Sequence, residues 1–170
     1  MHIMRTAAFI AAVISGNVIA ADSVNVSVAG NIIASPCVFN GGNTSLDINL
    51  GNIQASNMAT PGATSDPVFF SLPFTQCPAG TRSVTVSFTG NPDPVSGASY
   101  YMNSGSATNV AIAMSEGATG ALKGTGTSIT QTIASDRTAT MVMQASVKSV
   151  TGGATPGSIS AVVVMTMQYN

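Results

Sequence analysis

Tryptophan is absent from this sequence, and its one histidine, His2, sits at the extreme N-terminus. The rest of the chain has no imidazole, the commonest general base and metal ligand at neutral pH. Serines are plentiful, but none stands in a Gly-x-Ser-x-Gly turn and no histidine is placed to complete a triad. Charge is scarce too, at 6% of residues. The basic side chains beyond residue 20 are Arg82, Lys123, Arg137 and Lys148, scattered without a patch or stripe, so no nucleic-acid partner is expected. The carboxylates Asp22, Asp47, Asp66, Asp93, Glu116 and Asp136 never cluster as in a calcium loop. No cofactor or metal site is expected, and the chain does not read as an enzyme. Aromatic residues are only 5% of the total, too few for the usual platform of a carbohydrate-binding module.

What the chain does have is period-two patterning. From residue 159 to residue 169 every odd position is apolar: Ile159, Ala161, Val163, Met165, Met167 and Tyr169. The even positions are polar at both ends with Val162 and Val164 between them. Strand side chains alternate faces, so residues 159–169 read as one long strand with a fully buried face, entered through the Pro156-Gly157 turn. Met141 and Met143 show the same spacing as Met165 and Met167, which indicates core packing on two strands rather than a soft metal site. Tyr100-Tyr101 reads as packing at a strand start rather than as a small binding face.

Residues 1–5 form a short, weakly basic stretch, residues 6–14 an apolar run, and Val18-Ile19-Ala20 a small-residue cleavage site, so residues 1–20 are expected to be a signal peptide. The apolar run is too short to span a bilayer. Export bears on the only two cysteines, Cys37 and Cys77: in an oxidising compartment a disulfide between them is expected, with a reactive thiol or metal pair as the alternative.

After the cleavage site Val24, Val26, Val28, Gly30 and Ile32 alternate with Asn25, Ser27, Ala29 and Asn31, an amphipathic strand with a glycine on its apolar face. Such a glycine marks close approach of another backbone. Pro36 ends it. Strands are then expected over residues 45–50, 68–74, 84–88, 110–114, 129–133, 140–150 and 159–169. Loops follow from composition at 55–67 and 91–94, with a hairpin at 116–120. Short strands punctuated by Gly and Pro, with no helical period, indicate an all-β sandwich in one domain.

These residues carry a resemblance. A signal peptide, an alternating segment with an internal Gly30, Pro36-Cys37, Cys77 after a strand, and a terminal strand bearing Gly157 and Tyr169 together resemble a chaperone–usher pilus (fimbrial) subunit. In that family a glycine fourteen residues from the C-terminus and a penultimate tyrosine mark the strand grasped by the periplasmic chaperone, and Gly157 and Tyr169 hold those positions. Cys77-Pro78-Ala79-Gly80-Thr81, the Tyr100-Tyr101 segment and residues 152–157 are most similar to the minor tip-adaptor subunits of type 1 fimbriae. Met165 and Met167 depart from the family, which more often has β-branched or aromatic residues there.

The resemblance implies an incomplete immunoglobulin-like sandwich lacking its last strand and completed by donor-strand exchange. Residues 1–20 would be the signal peptide, 21–35 a donor extension and 36–170 the pilin domain. Val24, Val26, Val28, Gly30 and Ile32 would be donated to a neighbouring pilus subunit. Gly157, Ile159, Ala161, Val163, Met165, Met167 and Tyr169 would form the strand held first by the chaperone and then beside the incoming donor. Burying four aliphatic donors is worth roughly 6–12 kcal/mol before ordering costs. The partners implied are neighbouring subunits, a periplasmic chaperone and an outer-membrane usher, with export through the periplasm to a fimbrium supporting cell adhesion. The competing expectation is a complete secreted β-sandwich acting as a binding module, for example for carbohydrate.

Overall fold

Aliphatic and hydroxyl side chains alternate along most of the chain, and wherever a neighbour completes the ladder that period becomes a strand. The computed structural model describes residues 24–32 and 35–170. The expected signal peptide at 1–20, and residues 21–23 and 33–34 of the expected donor extension, lie outside the described residues. Residues 32–170 form one compact unit, and residues 24–31 are not part of it.

The strands are β1 (Val38–Phe39), β2 (Ala63–Thr64), β3 (Val68–Thr75), β4 (Ser83–Gly90), β5 (Pro92–Asp93), β6 (Gly97–Met102), β7 (Ala111–Glu116), β8 (Ser128–Thr132), β9 (Ala139–Ser149) and β10 (Val163–Tyr169). One sheet runs β1-β3-β9-β7-β6-β5, with β2 added to β9; the other runs β10-β4-β8. Every pairing is antiparallel.

The two sheets share one core. In β4 the inward Val84, Val86 and Phe88 are fully buried, while Thr85 faces outward and bonds Thr130 of β8 at 2.8 Å between hydroxyls. Opposite them lie Leu72 and Phe74 of β3, Ile112 and Met114 of β7, and Met141 and Met143 of β9. The core methionines of β9 are packing residues, as their spacing indicated, their flexible thioethers fitting an irregular interior. Tyr101 of β6 is also core, only 1% exposed, and its hydroxyl donates to the Lys123 carbonyl at 2.7 Å. Cys37 and Cys77 are joined in a disulfide with Cα atoms 4.2 Å apart. The buried cluster and its half-buried fringe lie between Cys37 and Tyr169, so residues 36–170 contain their own core and their own cross-link.

Most expected strands are present, and the hairpin at 116–120 closes through a Glu116 N–H to Ala121 carbonyl bond and a Ser115–Leu122 bridge. Three expected strands differ. Residues 24–32 have no regular secondary structure, and Val24, Val26, Val28 and Ile32 are 81–105% exposed. Residues 45–50 also lack strand structure, despite their strict alternation. The terminal strand begins at Val163 rather than at 159, and its odd side chains are half-buried rather than fully buried. The physical reason is common to all three: a strand is a ladder, and these segments have one neighbour too few. The short β1, β2 and β5 were not among the expected strands, residues 55–67 reading as a loop and Asn91-Pro92-Asp93-Pro94 as a break, and β6 was expected only as a strand start at Tyr100-Tyr101 because Gly97 and Ser99 dilute the alternation.

Candidate functional site

Among the described residues strand β10 is an edge strand, bonded to β4 on one side only. Its free side borders a groove of about 740 Å³. One wall is residues 46–53; the other carries Gly157, Ile159, Ala161, Val163 and Met165; Phe70, Ile112, Met114 and Ala145 lie beneath, part of the larger sheet's inward face. A sandwich with all its strands would have covered that floor.

Backbone pairing defines what the groove lacks. Among the described residues, no backbone group of Leu46, Asp47, Ile48 or Leu50 is hydrogen-bonded. The same holds for Ile159 and Ala161 on the other wall. The intervening Ser158 and Ser160 are bonded to the loop at 103–107: Ser104 N–H donates to the Ser160 carbonyl at 2.8 Å and Ala107 N–H to the Ser158 carbonyl at 3.1 Å. Along an extended chain successive residues aim their backbone groups to opposite sides. With 158 and 160 turned to the loop, 159 and 161 are turned to the groove. Two unpaired backbone edges therefore flank an apolar floor, with space between them for an extended segment. Unpaired edges of this kind are templates for pairing with another chain.

Gly157 stands where this wall meets the loop. A Cβ there would lie 2.7 Å from the Ser106 carbonyl carbon and closer still to the Ala107 nitrogen, so only glycine permits the approach. Five of the seven expected wall residues, Gly157, Ile159, Ala161, Val163 and Met165, line the groove. Met167 and Tyr169 lie further along β10 against the core, where the Tyr169 ring meets Phe74 edge-on at 6.4 Å and its hydroxyl donates to the Met167 sulfur at 3.6 Å. Burial pushes the Tyr169 phenol above its ordinary range. Gly30 has nothing within 4 Å of where its Cβ would stand. A smaller cavity of about 190 Å³, lined in part by Met58, Val147, Pro156 and Ile159, lies beyond the Gly157 end.

Sequence reasoning missed the opposite wall and the floor. The signal for the wall was present, since Leu46, Ile48 and Leu50 alternate strictly, but alternation alone does not say that a strand is waiting for its partner. Among the described residues Asp47 is the one charged residue lining the groove, and residues 24–32 carry no charge. The slot and the candidate donor thus each offer one apolar face and almost no charge.

A family model for the fimbrial protein matches residues 26–170. The chain belongs to the fimbrial protein family. FimG of Escherichia coli (strain K12) is 34% identical over 163 residues, spanning 96% of this chain and 94% of FimG. FimF of Salmonella typhimurium (strain LT2), a fimbrial-like protein, is 27% identical over 147 residues, spanning 86% of this chain and 84% of FimF. The crystal structure of the P pilus rod subunit PapA superposes with a TM-score of 0.64 at 21% identity, covering 80% of this chain and 100% of PapA, a likeness of fold. This fimbrial protein is a structural subunit of a chaperone–usher fimbria, as the sequence resemblance implied, and its relatives are fimbrial subunits rather than enzymes. Its setting is a pilus on the cell surface, among neighbouring subunits.

Proposed function

We propose that this fimbrial subunit is a link that receives a donor strand in its groove and gives residues 24–32 to the next subunit. Two unpaired backbone edges over an apolar floor carry this reading, because an incoming strand would satisfy both edges and cover the floor at once. The donor side chains are Val24, Val26, Val28 and Ile32, whose alternation suits pockets on one face, with Gly30 where the groove leaves no space. Residues 1–20 direct export to the periplasm, residues 21–35 are the donor extension and residues 36–170 the pilin domain. There a chaperone lends the missing strand, held along Gly157 to Tyr169, until an outer-membrane usher passes the subunit into the fibre. Its likeness to FimG and FimF supports a minor adaptor position near the tip, serving adhesion by joining other subunits.

A complete secreted binding module is disfavoured by the exposed, unpaired state of residues 24–32 and by the open groove. The test is Gly30→Leu in a fibre-assembly assay. Polymerisation should slow severalfold while circular dichroism of the domain stays unchanged; unchanged assembly would reject the donor role of this segment.

A further inference from the structure

Half of the groove wall that carries the unpaired edge is not strand at all, and something other than a ladder must hold it straight. Residues 158–160 are bound to the loop at 103–107 by side chains, and Asn103 is the hub. Its Oδ1 accepts from the Gly105 N–H at 3.0 Å and from the Ser160 N–H at 2.8 Å. Its Nδ2 donates to the Ala107 carbonyl at 2.8 Å and to the Ser158 carbonyl at 3.4 Å. One amide therefore makes four bonds, two of them within the loop and two to the wall. Ser106 adds a reciprocal pair: its Oγ accepts from the Ser158 N–H at 2.9 Å, and its own N–H donates to the Ser158 Oγ at 3.0 Å.

The consequence lies on the far side of the chain. If Ser158 and Ser160 swing away from the loop, the backbone groups of Ile159 and Ala161 lose their aim into the groove. We propose that Asn103, aided by Ser106, is a positioning residue for donor-strand capture, holding residues 158–160 so that Ile159 and Ala161 present a ready-made edge. The proposal rests on the groove receiving a donor strand. Asn103 touches no donor residue; it acts by preorganising the wall, so that ordering this segment is not left to the moment of binding. A side chain capable of bonding on both edges of its amide is needed here, and alanine supplies neither bond.

The experiment uses protein beginning at Pro36 and a fluorescent peptide of residues 21–35 as probe. Capture rates are compared for wild type, Asn103→Ala and Ser106→Ala, alongside amide hydrogen exchange of Gly105 and Ser160 in the peptide-free domain. Asn103→Ala should capture roughly tenfold more slowly, the scale set by losing two wall hydrogen bonds, and Ser106→Ala about threefold more slowly. Exchange at Ser160 should quicken in Asn103→Ala while β4 and β9 amides stay protected, and adding peptide should protect Ile159 and Ala161, the amides aimed into the groove, rather than Ser160, whose acceptor is gone. Capture at the wild-type rate by a folded Asn103→Ala with an unprotected Ser160 overturns the proposal and leaves the groove reading standing. Should Asn103→Ala fail to fold, Ser106→Ala decides, and an unchanged rate there overturns it equally. Wild type capturing no peptide defeats the groove reading, and this proposal with it.

Discussion

At the scale of single residues, chemistry here is a matter of fit and hydrogen bonding rather than of reactivity. Gly157 is fixed by the backbone of Ser106 and Ala107, which leaves no volume for a side chain. Tyr101 illustrates a polar tip on a buried body: its ring is in the core, its hydroxyl has one good acceptor, and burial raises its pKa from 10.0 to about 12. The folded chain therefore keeps a proton that the unfolded chain has already lost. Stability from this group is whole below pH 10.0 and drains as pH climbs from there toward about 12. Urea midpoints measured across that range should fall, and Tyr101→Phe should flatten much of the fall, leaving the part due to Tyr169, whose phenol is also raised. At neutral pH the same variant should lose about 1 kcal/mol with its hydrogen bond to the Lys123 carbonyl. An alkaline profile identical to wild type would contradict this assignment. The pairing of Tyr101 with Tyr100 in sequence said nothing of this, since only the fold separates a core ring from its half-buried neighbour.

At the scale of elements, legibility followed hydrogen-bond partners. β4 and β9 were readable from alternation because each has a neighbour on both sides, and the buried and exposed faces then match the sequence period. Residues 45–50 alternate as strictly, and residues 159–162 are apolar at their odd positions, yet neither forms strand structure, because such a pattern reports which side chains want burial and not whether a ladder is complete. The strap from Asn103 was invisible for a different reason: an asparagine in a polar loop gives no periodic signal, and its four partners are brought together only by the chain turning back. The element-scale prediction concerns β10. Met165 is half-buried in the groove wall, so Met165→Lys can hold its charge toward solvent in the peptide-free domain. Once a donor strand covers the groove that charge would be desolvated without a partner, at a cost of several kcal/mol. Donor-peptide binding should fall by at least a hundredfold while the melting temperature of the free domain moves by only a few degrees. Equal losses in both would mean that Met165 is core in the free domain.

At the scale of the whole molecule, the described residues 35–170 form a sandwich whose groove is flanked by two unpaired backbone edges, with the core reachable between them. Cys37–Cys77 ties the entry of the domain to the end of β3 across a separation of 40 residues, and the loop it closes contains the whole of the 46–53 wall. Removing it by Cys37→Ser with Cys77→Ser should cost about 4 kcal/mol in chemical denaturation, the chain-entropy value for a loop of this length. A loss under about 1 kcal/mol would show that the loop is already restrained in the unfolded chain. The measurement that bears most directly on the account is a mixing experiment. Peptide of residues 21–35 is added to protein beginning at Pro36, and the melting temperature is recorded. The account predicts a large rise, and even a modest one would mark an open slot that accepts an extended strand, since a neighbour's donor can fit better than the subunit's own. No rise, with the truncated domain already stable and monomeric, would mean a sandwich complete in itself and would contradict the central claim.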